Sequence, residues 1–363
     1  MSHFKDKQSK RKDEHLEIAC DSELKIEMNC SNGFEDIIFI HKALPEMNFT
    51  EISTTTEFLG TFFDYPIFIS SITGGTPLAL EINKKLAQAA EELKIGIGVG
   101  SQRSALLDPS TIASFKIIRE HAPNAFIAAN IGAVQLNNDI TFNDIEKAID
   151  MISADALTLH LNPLQEIIQP EGNKNFENIV QKISDLAQNL DCPIIVKEVG
   201  SGFSLEDGML LVEAGVKAIE IAGAGGTSWA KIEAIRALRE NKISSSKLGE
   251  LFSDWGIPTA ASTIEISALK NKIDIISSGG IRNGLEGAKA IALGAKLFGM
   301  ALPVVRIAKD DTVRQLIEFL NQIIQEFKTT MFLVGAKSIS ELHEVPLAII
   351  GRTAQWLSAR GLE

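Results

Sequence analysis

The feature that most constrains the fold is a repeated alternation of short apolar runs and longer amphipathic stretches, which starts near residue 66. Nearly all the apolar runs are unbroken, as expected of parallel strands that are covered on both faces. The eight runs are Ile67–Ser71, Ile95–Gly100, Phe126–Asn130, Ala156–Leu161, Ile194–Val199, Ala218–Ala222, Ile273–Ser278 and Lys296–Met300. Helical spacing of apolar residues marks the stretches Leu78–Leu93, Ser110–His121, Asp144–Ile152, Phe176–Leu190, Leu205–Ala214, Ile232–Arg239 and Leu285–Leu293.

Alternating strands and helices predict a parallel sheet, and eight such units predict closure into an α/β TIM (β/α)₈ barrel. The alternative is an open doubly wound sheet, which needs a topological switch point and usually a G-x-G-x-x-G turn. Gly96, Gly98 and Gly100 are spaced G-x-G-x-G instead. We therefore favour the barrel.

The sequence divides into three segments around this barrel. Residues 1–65 are predicted to be an N-terminal arm and barrel-capping segment, and the polar residues 1–15 are expected to be flexible unless a contact orders them. Residues 66–304 are predicted to form the barrel. Residues 305–363 are predicted to be a helical extension packed on it, with Val305–Lys328 as its longest helical stretch.

The composition excludes some functions. A formal net charge of −12 argues against a nucleic-acid surface, although a few cations in one cleft can still bind an anionic small ligand. The three cysteines form no C-x-x-C pair, which is typical of reduced thiols. Because the N-terminus lacks the apolar core of a signal peptide and no apolar run reaches about 18 residues, we expect a cytoplasmic location and no membrane contact.

The predicted carboxyl ends of the strands carry most of the polar and glycine clusters, and active sites of β/α barrels lie at that end. Ser278-Gly279-Gly280 follows the seventh strand and Gly299-Met300-Ala301 follows the eighth. Phosphate groups bind barrels at these two positions, where glycine-turn amides and a helix N-terminus face the anion. Tight turns are the alternative role of these glycines. The pattern favours a phosphate site, to which Thr227 after the sixth strand adds a hydroxyl.

Three further groups have two interpretations each. Lys197 follows a buried strand, so it either pairs with Glu198 or another carboxylate, or faces an electron-rich cofactor ring. The loop after the fourth strand is either a solvated polar loop or a site where Glu166 holds Mg²⁺ together with substrate phosphates. The pair Arg11-Lys12 is either solvated or part of an arm that folds over a diphosphate.

Eight longer motifs run from residue 11 almost to the end of the chain. They are RKDEHLEIA at 11–19, SSITGGTPLALEINKKLAQAAEELKIGIGVGSQRSAL at 70–106, LNPLQEIIQPEGN at 161–173, VKEVGSGFS at 196–204, AGAGGTSWAKIE at 222–233, FSDWGIPTAAS at 252–262, SGGIRNGLEGAKAIALGA at 278–295 and PLAIIGRTAQWL at 346–357. Together these motifs resemble the type 2, FMN-dependent isopentenyl-diphosphate isomerases. The combination of RKDEH with the motif at 161–173 is absent from the related 2-hydroxy-acid oxidases.

The resemblance implies interconversion of isopentenyl and dimethylallyl diphosphate, with reduced FMN as acid and base, NADPH as the outside reductant, Mg²⁺ on Glu166, and a homo-oligomer (tetramer or octamer). Gln165, His160 and Lys197 are the implied catalytic residues. The implied substrate contacts are Arg11, Lys12, Ser101, Gln102, Arg103, His160, Asn162 and Gln165. The implied FMN contacts are Ser71, Ile72, Thr73, Ser101, Asn130, Lys197, Thr227, Gly279, Gly280, Ile281, Ala301 and Leu302.

This chain departs from the family pattern at two pairs, Ser71-Ile72 and Ala301-Leu302, both of which can still contribute backbone groups. The main alternative is an FMN-dependent oxidoreductase of the 2-hydroxy-acid oxidase type. That chemistry needs a histidine base close to a late-barrel arginine. Arg282 is present, but no histidine lies between His160 and His343. A flavin-binding protein without turnover is the alternative from another class.

Overall fold

A computed structural model describes the backbone of residues 2–362 and the side chains of residues 11–362. The chain begins with a long helix, α1 (Ser2–Cys20), which includes most of the segment expected to be flexible. Its Leu16 and Ile18 are buried, so contact with the barrel holds the end of this helix. Three short strands follow: β1 (Ile37–Phe39), β2 (Thr56–Phe58) and β3 (Thr61–Phe63).

Strands β2 and β3 form an antiparallel hairpin that closes the amino end of the barrel. Phe58 and Phe63 are buried there against Phe68 and Phe126, with ring centroids of Phe58 and Phe126 5.7 Å apart. The backbone N–H of Leu59, in the hairpin turn, donates to the Asp274 carboxylate at 2.9 Å. Because this end is filled with aromatic side chains, the opposite end is where a ligand has access.

The eight predicted strands form a closed barrel in which neighbouring strands are parallel, so the TIM barrel is confirmed. Their order around the barrel is their order along the chain, closed by pairing of the last strand with the first. In chain order they are β4 (Ile67–Ile69), β5 (Gly96–Gly98), β6 (Ile127–Gly132), β7 (Ala156–His160), β8 (Ile194–Lys197), β9 (Ala218–Glu220), β10 (Asp274–Ser278) and β11 (Leu297–Met300).

Helices surround the barrel, and each of the seven predicted amphipathic stretches contains one. The first shows why: Thr76 caps its N-terminus, Pro77 occupies its first turn, and Ile82 and Leu86 face the core. Between β3 and the C-terminal extension the helices are α2 (Pro77–Leu93), α3 (Arg103–Leu107), α4 (Ala113–His121), α5 (Phe142–Met151), α6 (Pro163–Ile168), α7 (Ile179–Asn189), α8 (Leu205–Glu213), α9 (Trp229–Arg239), α10 (Ile243–Leu251), α11 (Thr259–Ser267) and α12 (Gly284–Ala292). Short 3₁₀ turns lie at Phe34–Asp36, Phe49–Glu51, Pro109–Thr111 and Ala133–Asn137.

Helices α10 and α11 are an addition that the spacing of apolar residues did not predict. Helix α10 carries the polar run Ile243–Lys247, which has no continuous apolar stripe, and it packs on α9. Helix α11 follows Pro258 and is buried along most of its length, so it lacks the polar face that marks a surface helix.

The extension after the barrel starts with two helices, α13 (Leu302–Asp310) and α14 (Val313–Val334), so the helical stretch predicted over Val305–Lys328 is divided between two helices. Thr312 explains the break, because its hydroxyl accepts from the Gln315 N–H while the Gln315 side chain accepts from the Thr312 N–H. The chain ends with α15 (Ile339–Leu342), β12 (Leu347–Ile349) and α16 (Gly351–Arg360).

Strand β12 pairs with β1, which ties the two ends of the chain together. Within residues 2–362, no helix combines the length and apolar character needed to cross a bilayer. The three-segment division proposed from the sequence stays a prediction.

Candidate active site

One large cavity opens at the carboxyl ends of the barrel strands, where the sequence predicts the active site. Eighteen of the twenty predicted site residues line it. They are Arg11, Lys12, Ser71, Ile72, Thr73, Ser101, Arg103, Asn130, His160, Asn162, Gln165, Glu166, Lys197, Thr227, Gly279, Gly280, Ala301 and Leu302.

Gln102 and Ile281 are the two predicted residues outside the cavity lining of the described chain. Gln102 is fully buried: its Nε2 donates to the Ala148 carbonyl at 2.7 Å, and its Oε1 accepts from the Asn130 N–H at 3.0 Å. Ile281 is also fully buried and belongs to the core. Both side chains therefore pack within the barrel, and the ligand contacts that the resemblance implied for these two residues stay predictions for their main-chain groups.

We call the ends of β8 to β11 the glycine side of the cavity, comprising Lys197, Glu220, Gly279, Gly280 and Ala301. Gly279 has φ 110° and Gly280 has φ 76°, which L side chains rarely adopt. A Cβ on Gly279 would lie 2.3 Å from the Gly223 carbonyl oxygen, so only glycine lets the loops after β9 and β10 touch. Helix α13 starts directly after Ala301 without a side-chain cap, so its first N–H groups are available to an anion.

Lys197 lies at the end of β8 and is 5% exposed. Its Nζ donates to the Glu198 carbonyl oxygen at 2.7 Å and lies 3.9 Å from Glu220 Oε1. The Glu198 carboxylate does not pair with it; one oxygen accepts from the backbone N–H groups of residues 199 to 201 at 2.5–2.7 Å. Burial raises the pKa of Glu198, although these three donors oppose the rise. Lys197 is therefore the buried cation of this side, with Glu220 as a carboxylate beside it.

We call the opposite face the arm side; it comprises Arg11, Lys12, Arg103, His160 and the loop residues Asn162 to Glu166. Helix α1 brings the first two residues over the cavity. Lys12 Nζ donates to the Ser101 carbonyl at 2.9 Å and to Ser104 Oγ at 2.7 Å, and it lies 5.2 Å from the Phe115 ring centroid. Burial, assisted by the charge of Arg11, lowers the pKa of Lys12 to about 7.

Arg11 and Arg103 complete the positive charge of the arm side. The Nε atoms of both guanidiniums are buried without a hydrogen-bond partner in the described chain, and Arg103 Nη2 pairs with Asp139 at 3.1 Å. Burial lowers the pKa of Arg11, while Glu233 and Glu171 oppose that shift. Unused donors on buried cations indicate a site for an anion.

His160, at the end of β7, is neutral. Asn130 Nδ2 donates to the Val99 carbonyl at 3.0 Å, which turns Asn130 Oδ1 toward His160 Nδ1 at 2.7 Å. His160 Nδ1 must therefore carry the proton, and Nε2 is left as an acceptor. Burial, followed by the charges of Lys197 and Lys12, lowers the pKa of His160 to about 3. In this state His160 cannot donate Nε2–H to an anion.

The loop after β7 holds a connected set of polar side chains. Asn162 Nδ2 donates to Gln165 Oε1 at 3.0 Å and to Glu166 Oε1 at 3.1 Å. Glu166 Oε2 accepts from the Asn173 N–H at 2.5 Å. Within the described chain no three histidine, cysteine or carboxylate groups converge as a metal site.

Helix α9 contributes a buried carboxylate, Glu233, that joins this loop to helix α1. Glu233 Oε1 accepts from Gln165 Nε2 at 2.9 Å and lies 2.8 Å from His15 Nε2, and Oε2 accepts from Arg236 Nη1 at 2.5 Å. Burial works against ionisation, but His15, Arg236 and Gln165 lower the pKa of Glu233 to about 2. Arg236 also binds Glu14 at 3.1 Å, so the network fixes α1 over the cavity.

Comparison with known proteins identifies the family. Residues 166–348 match the family model described as FMN-dependent dehydrogenase. The chain is 45% identical over 353 residues to the isopentenyl-diphosphate delta-isomerase of Methanosarcina mazei, covering 97% of this chain and 95% of that one. It is 44% identical to the enzyme of that name from Rickettsia bellii, covering 93% and 97% of the two chains. The chain belongs to the isopentenyl-diphosphate delta-isomerase family.

Comparison with solved structures shows the same fold in other proteins. A flavocytochrome b2 variant superposes with a TM-score of 0.68 at 17% identity, covering 96% of this chain and 88% of that one. A mandelate oxidase variant superposes with a TM-score of 0.62 at 15% identity, covering 93% and 92%. At these identities the likeness concerns the barrel alone. The resemblance stated from the motifs is confirmed at the level of family and fold.

Sequence reasoning missed five residues of the isomerase-family site: Glu220, His15, Trp229, Glu233 and Arg236. Three of them, His15, Trp229 and Glu233, lie inside the motifs RKDEHLEIA and AGAGGTSWAKIE that carried the resemblance, so a signal was present. What the sequence did not reveal is that α1 and α9 meet: the His15 ring stacks edge-on against Trp229 with centroids 5.2 Å apart. In the sequence, Glu220 looked like an ordinary polar residue at the end of a buried strand.

Proposed function

We propose that this protein interconverts isopentenyl diphosphate and dimethylallyl diphosphate by an allylic proton shift, with reduced FMN as acid and base and Mg²⁺ on the diphosphate. The observation that supports it most is the pairing of two unlike faces in one cavity. The glycine side offers strand-end amides, a helix N-terminus and one lysine. The arm side offers cations with unused donors beside an isolated carboxylate.

The polar atoms of the glycine side fit FMN. Ser71 Oγ and Glu220 Oε2 are buried without partners in the described chain, so they call for a ligand that both donates and accepts. The turn of Gly279 and Gly280 and the start of α13 suit its phosphate. Lys197 suits the electron-rich edge of its ring, where a cation favours the reduced, anionic form. The remaining proposed contacts are Ile72, Thr73, Ser101, Asn130, Thr227, Ala301, Leu302 and the main chain of Ile281.

When bound, reduced FMN supplies the acid–base group that a proton shift between two carbons requires. The residues of this chain then orient the substrate and exclude water. The arm-side cations Arg11, Lys12 and Arg103 hold the diphosphate, whose binding energy is remote from the reacting carbons. Lys197 balances negative charge beneath the substrate. Helix α1 covers the cavity, which keeps bulk water away from the reacting carbons.

Gln165 is the proposed partner of the second proton transfer, as a relay rather than as a base. Its Nε2 donates to the ionised Glu233 and its Oε1 accepts from Asn162, so both ends of the amide are fixed in direction. Glu233 and Asn162 therefore orient Gln165 toward the cavity. His160 is proposed as a neutral group that accepts a proton or a hydrogen bond at Nε2. The resemblance implied a catalytic role and a substrate contact for His160, and a neutral ring can fill both only as an acceptor at Nε2.

Glu166 is proposed to hold Mg²⁺ through whichever carboxylate oxygen Asn162 or Asn173 releases, with diphosphate oxygens and water as the other ligands. We further propose NADPH as the external reductant of FMN, a cytoplasmic location and a homo-oligomeric assembly, tetramer or octamer. These rest on the family resemblance.

The test is a reconstitution. The purified chain is incubated with dithionite-reduced FMN, Mg²⁺ and isopentenyl diphosphate, and dimethylallyl diphosphate is followed by proton NMR. We expect conversion that needs all three additions. In D₂O, deuterium should enter the product. A preparation that binds FMN but gives no isomer under these conditions contradicts the proposal, and oxidation of a 2-hydroxy acid such as lactate by the same preparation would point to the oxidase chemistry instead.

A further inference from the structure

Glu220 is the one buried carboxylate of the glycine side that is only half satisfied. It is the last residue of β9 and is 1% exposed. Its Oε1 accepts from Ser278 Oγ at 3.1 Å and lies 3.9 Å from Lys197 Nζ. Its Oε2 is buried at the cavity and has no hydrogen-bond partner in residues 11–362. Because an unmatched buried carboxylate oxygen is costly, this atom calls for a donor on whatever fills the cavity.

The neighbouring Glu198 shows that burial alone does not leave such an atom. Glu198 is also buried at this end of the barrel, at 5% exposure. Its Oε2 receives three backbone N–H groups at 2.5–2.7 Å, so the loop after β8 satisfies it internally. No backbone turn serves Glu220 Oε2 in this way. The comparison indicates that the missing hydrogen-bond donor at Glu220 Oε2 is a feature of the ligand site and not a general result of burial.

The position of β9 in the barrel indicates which part of the ligand meets this atom. Strand β9 lies between β8, which carries Lys197, and β10, which leads to Gly279 and Gly280. Lys197 and Glu220 are register partners on β8 and β9. If the FMN ring edge lies at Lys197 and its phosphate at the glycine turn, the part that joins them must cross the end of β9. That part is the ribityl chain, whose hydroxyl groups are hydrogen-bond donors.

We propose that Glu220 binds the ribityl chain of FMN, with Oε2 accepting a hydrogen bond from a ribityl hydroxyl while Oε1 stays with Ser278 beside Lys197. The inference rests on the proposed function, because it takes FMN as the occupant of the cavity. It makes Glu220 a cofactor-binding residue. It also makes Glu220 the counter-ion that limits the positive charge of Lys197.

The test separates the ribityl chain from the ring by comparing three flavins. The full-length, flavin-free chain is titrated with FMN, with riboflavin, which keeps the ribityl chain, and with lumiflavin, which carries a methyl group in its place. Binding is followed by the change in flavin fluorescence. In Glu220→Gln a charge-assisted hydrogen bond becomes a neutral one. We therefore expect the dissociation constants of FMN and riboflavin to rise about fivefold, and that of lumiflavin to stay unchanged.

A second variant and a control keep this result interpretable. Glu220→Asp keeps the charge but withdraws the carboxylate by one methylene, and we expect the same selective loss with ribityl-bearing flavins. Asp274→Asn removes a carboxylate charge on the adjacent strand, at the hairpin-plugged end of the barrel, while keeping an oxygen for the Leu59 N–H. It should bind all three flavins as the unaltered chain does. Melting temperatures of the flavin-free proteins verify that each variant is folded.

Two outcomes overturn the inference. If Glu220→Gln and Glu220→Asp bind FMN as tightly as the unaltered chain, Glu220 does not contact the cofactor. If lumiflavin binding weakens as much as riboflavin binding, the contact is to the ring. Failure of the proposed function has a different signature: the unaltered chain then binds no FMN, or binds it and isomerises nothing. An unaltered chain that binds FMN and is active, beside Glu220 variants of full affinity, contradicts this inference alone.

Discussion

The two faces of the cavity are assembled in different ways. On the glycine side each group lies at the end of a strand or in the turn that directly follows it: Lys197 and Glu220 are the last residues of β8 and β9, and Gly279 follows β10. On the arm side the groups come from distant parts of the chain, because Glu233 on α9 joins Gln165 on α6 to His15 on α1. A site made of local turns inherits its geometry from the barrel. A site made of long-range contacts depends on a network of buried charges.

The largest expected effect tests the glycine side. Lys197→Ala leaves the buried Glu220 without its cation, and removing one partner of a buried pair is strongly destabilising locally. We expect FMN retention to fall and the isomerisation rate to fall by about 10²–10³-fold, the cost of losing one preorganised charged donor. Flavin absorbance per protein and single-turnover rates measure this.

The control for that prediction is Lys217→Ala, which removes an exposed lysine at the amino end of β9. It should leave both quantities unchanged. Lys197→Ala protein with full flavin content and full activity contradicts the role of Lys197 in the glycine side.

The difference between the faces also explains what the sequence could predict. Eight apolar runs predicted eight strands, and glycine and lysine positions at their ends predicted the glycine side, because each prediction needed only local chain geometry. The sequence did not single out Glu220, because whether a carboxylate oxygen lacks a hydrogen-bond partner depends on residues that are distant in sequence. The direction of the Gln102 side chain likewise depends on the neighbours with which its amide forms hydrogen bonds. The bridging role of Glu233 requires knowing that α1 crosses α9, which no local pattern encodes.

The next effect tests whether the arm side holds a metal. Glu166→Gln keeps one acceptor oxygen for either Asn162 Nδ2 or the Asn173 N–H, turns the other carboxylate oxygen into an NH₂ donor, and removes the charge that binds a divalent cation. We expect the Mg²⁺ concentration for half-maximal activity to rise about 10–100-fold, the range seen when groups that support a metal are altered. A titration with Mg²⁺ at saturating reduced FMN measures it.

Glu177→Gln is the matched control, because Glu177 is an exposed carboxylate just beyond the same loop. It should not change the Mg²⁺ requirement. An unchanged requirement in Glu166→Gln would mean that the metal is held by the diphosphate and water alone.

The pH dependence of substrate binding tests the arm through Lys12. Its pKa in the folded chain is about 7, below the ordinary lysine value of 10.5, because it is buried beside Arg11. Above about pH 7 the ammonium loses its proton in the free enzyme, so a bound diphosphate must draw a proton back. The KM for isopentenyl diphosphate should therefore rise with pH from about 7 to 9, with a slope of up to about tenfold per unit.

The control for the pH profile is Lys12→Arg, because a guanidinium stays protonated throughout this range. Its KM should lose the dependence above pH 7, whatever its absolute value. A profile that is the same in both proteins would show that another group sets the pH response.

The smallest expected effect concerns one hydrogen bond between helix α1 and the barrel. Ser104 Oγ accepts a hydrogen bond from Lys12 Nζ at 2.7 Å. Among the described residues, this is its one hydrogen bond to helix α1. Ser104→Ala removes one of the two oxygens that hold this ammonium and leaves the Ser101 carbonyl at 2.9 Å in place. One hydrogen bond contributes about 1 kcal/mol, so the KM for the diphosphate should rise about fivefold while kcat changes little.

Ser110→Ala, at an exposed serine six positions further on, should leave KM unchanged. FMN affinity should be unaffected by either substitution, because the glycine side forms without the arm. A loss of FMN affinity in Ser104→Ala would mean that the two faces are coupled, and the contrast between a locally built face and a network-built face would then fail.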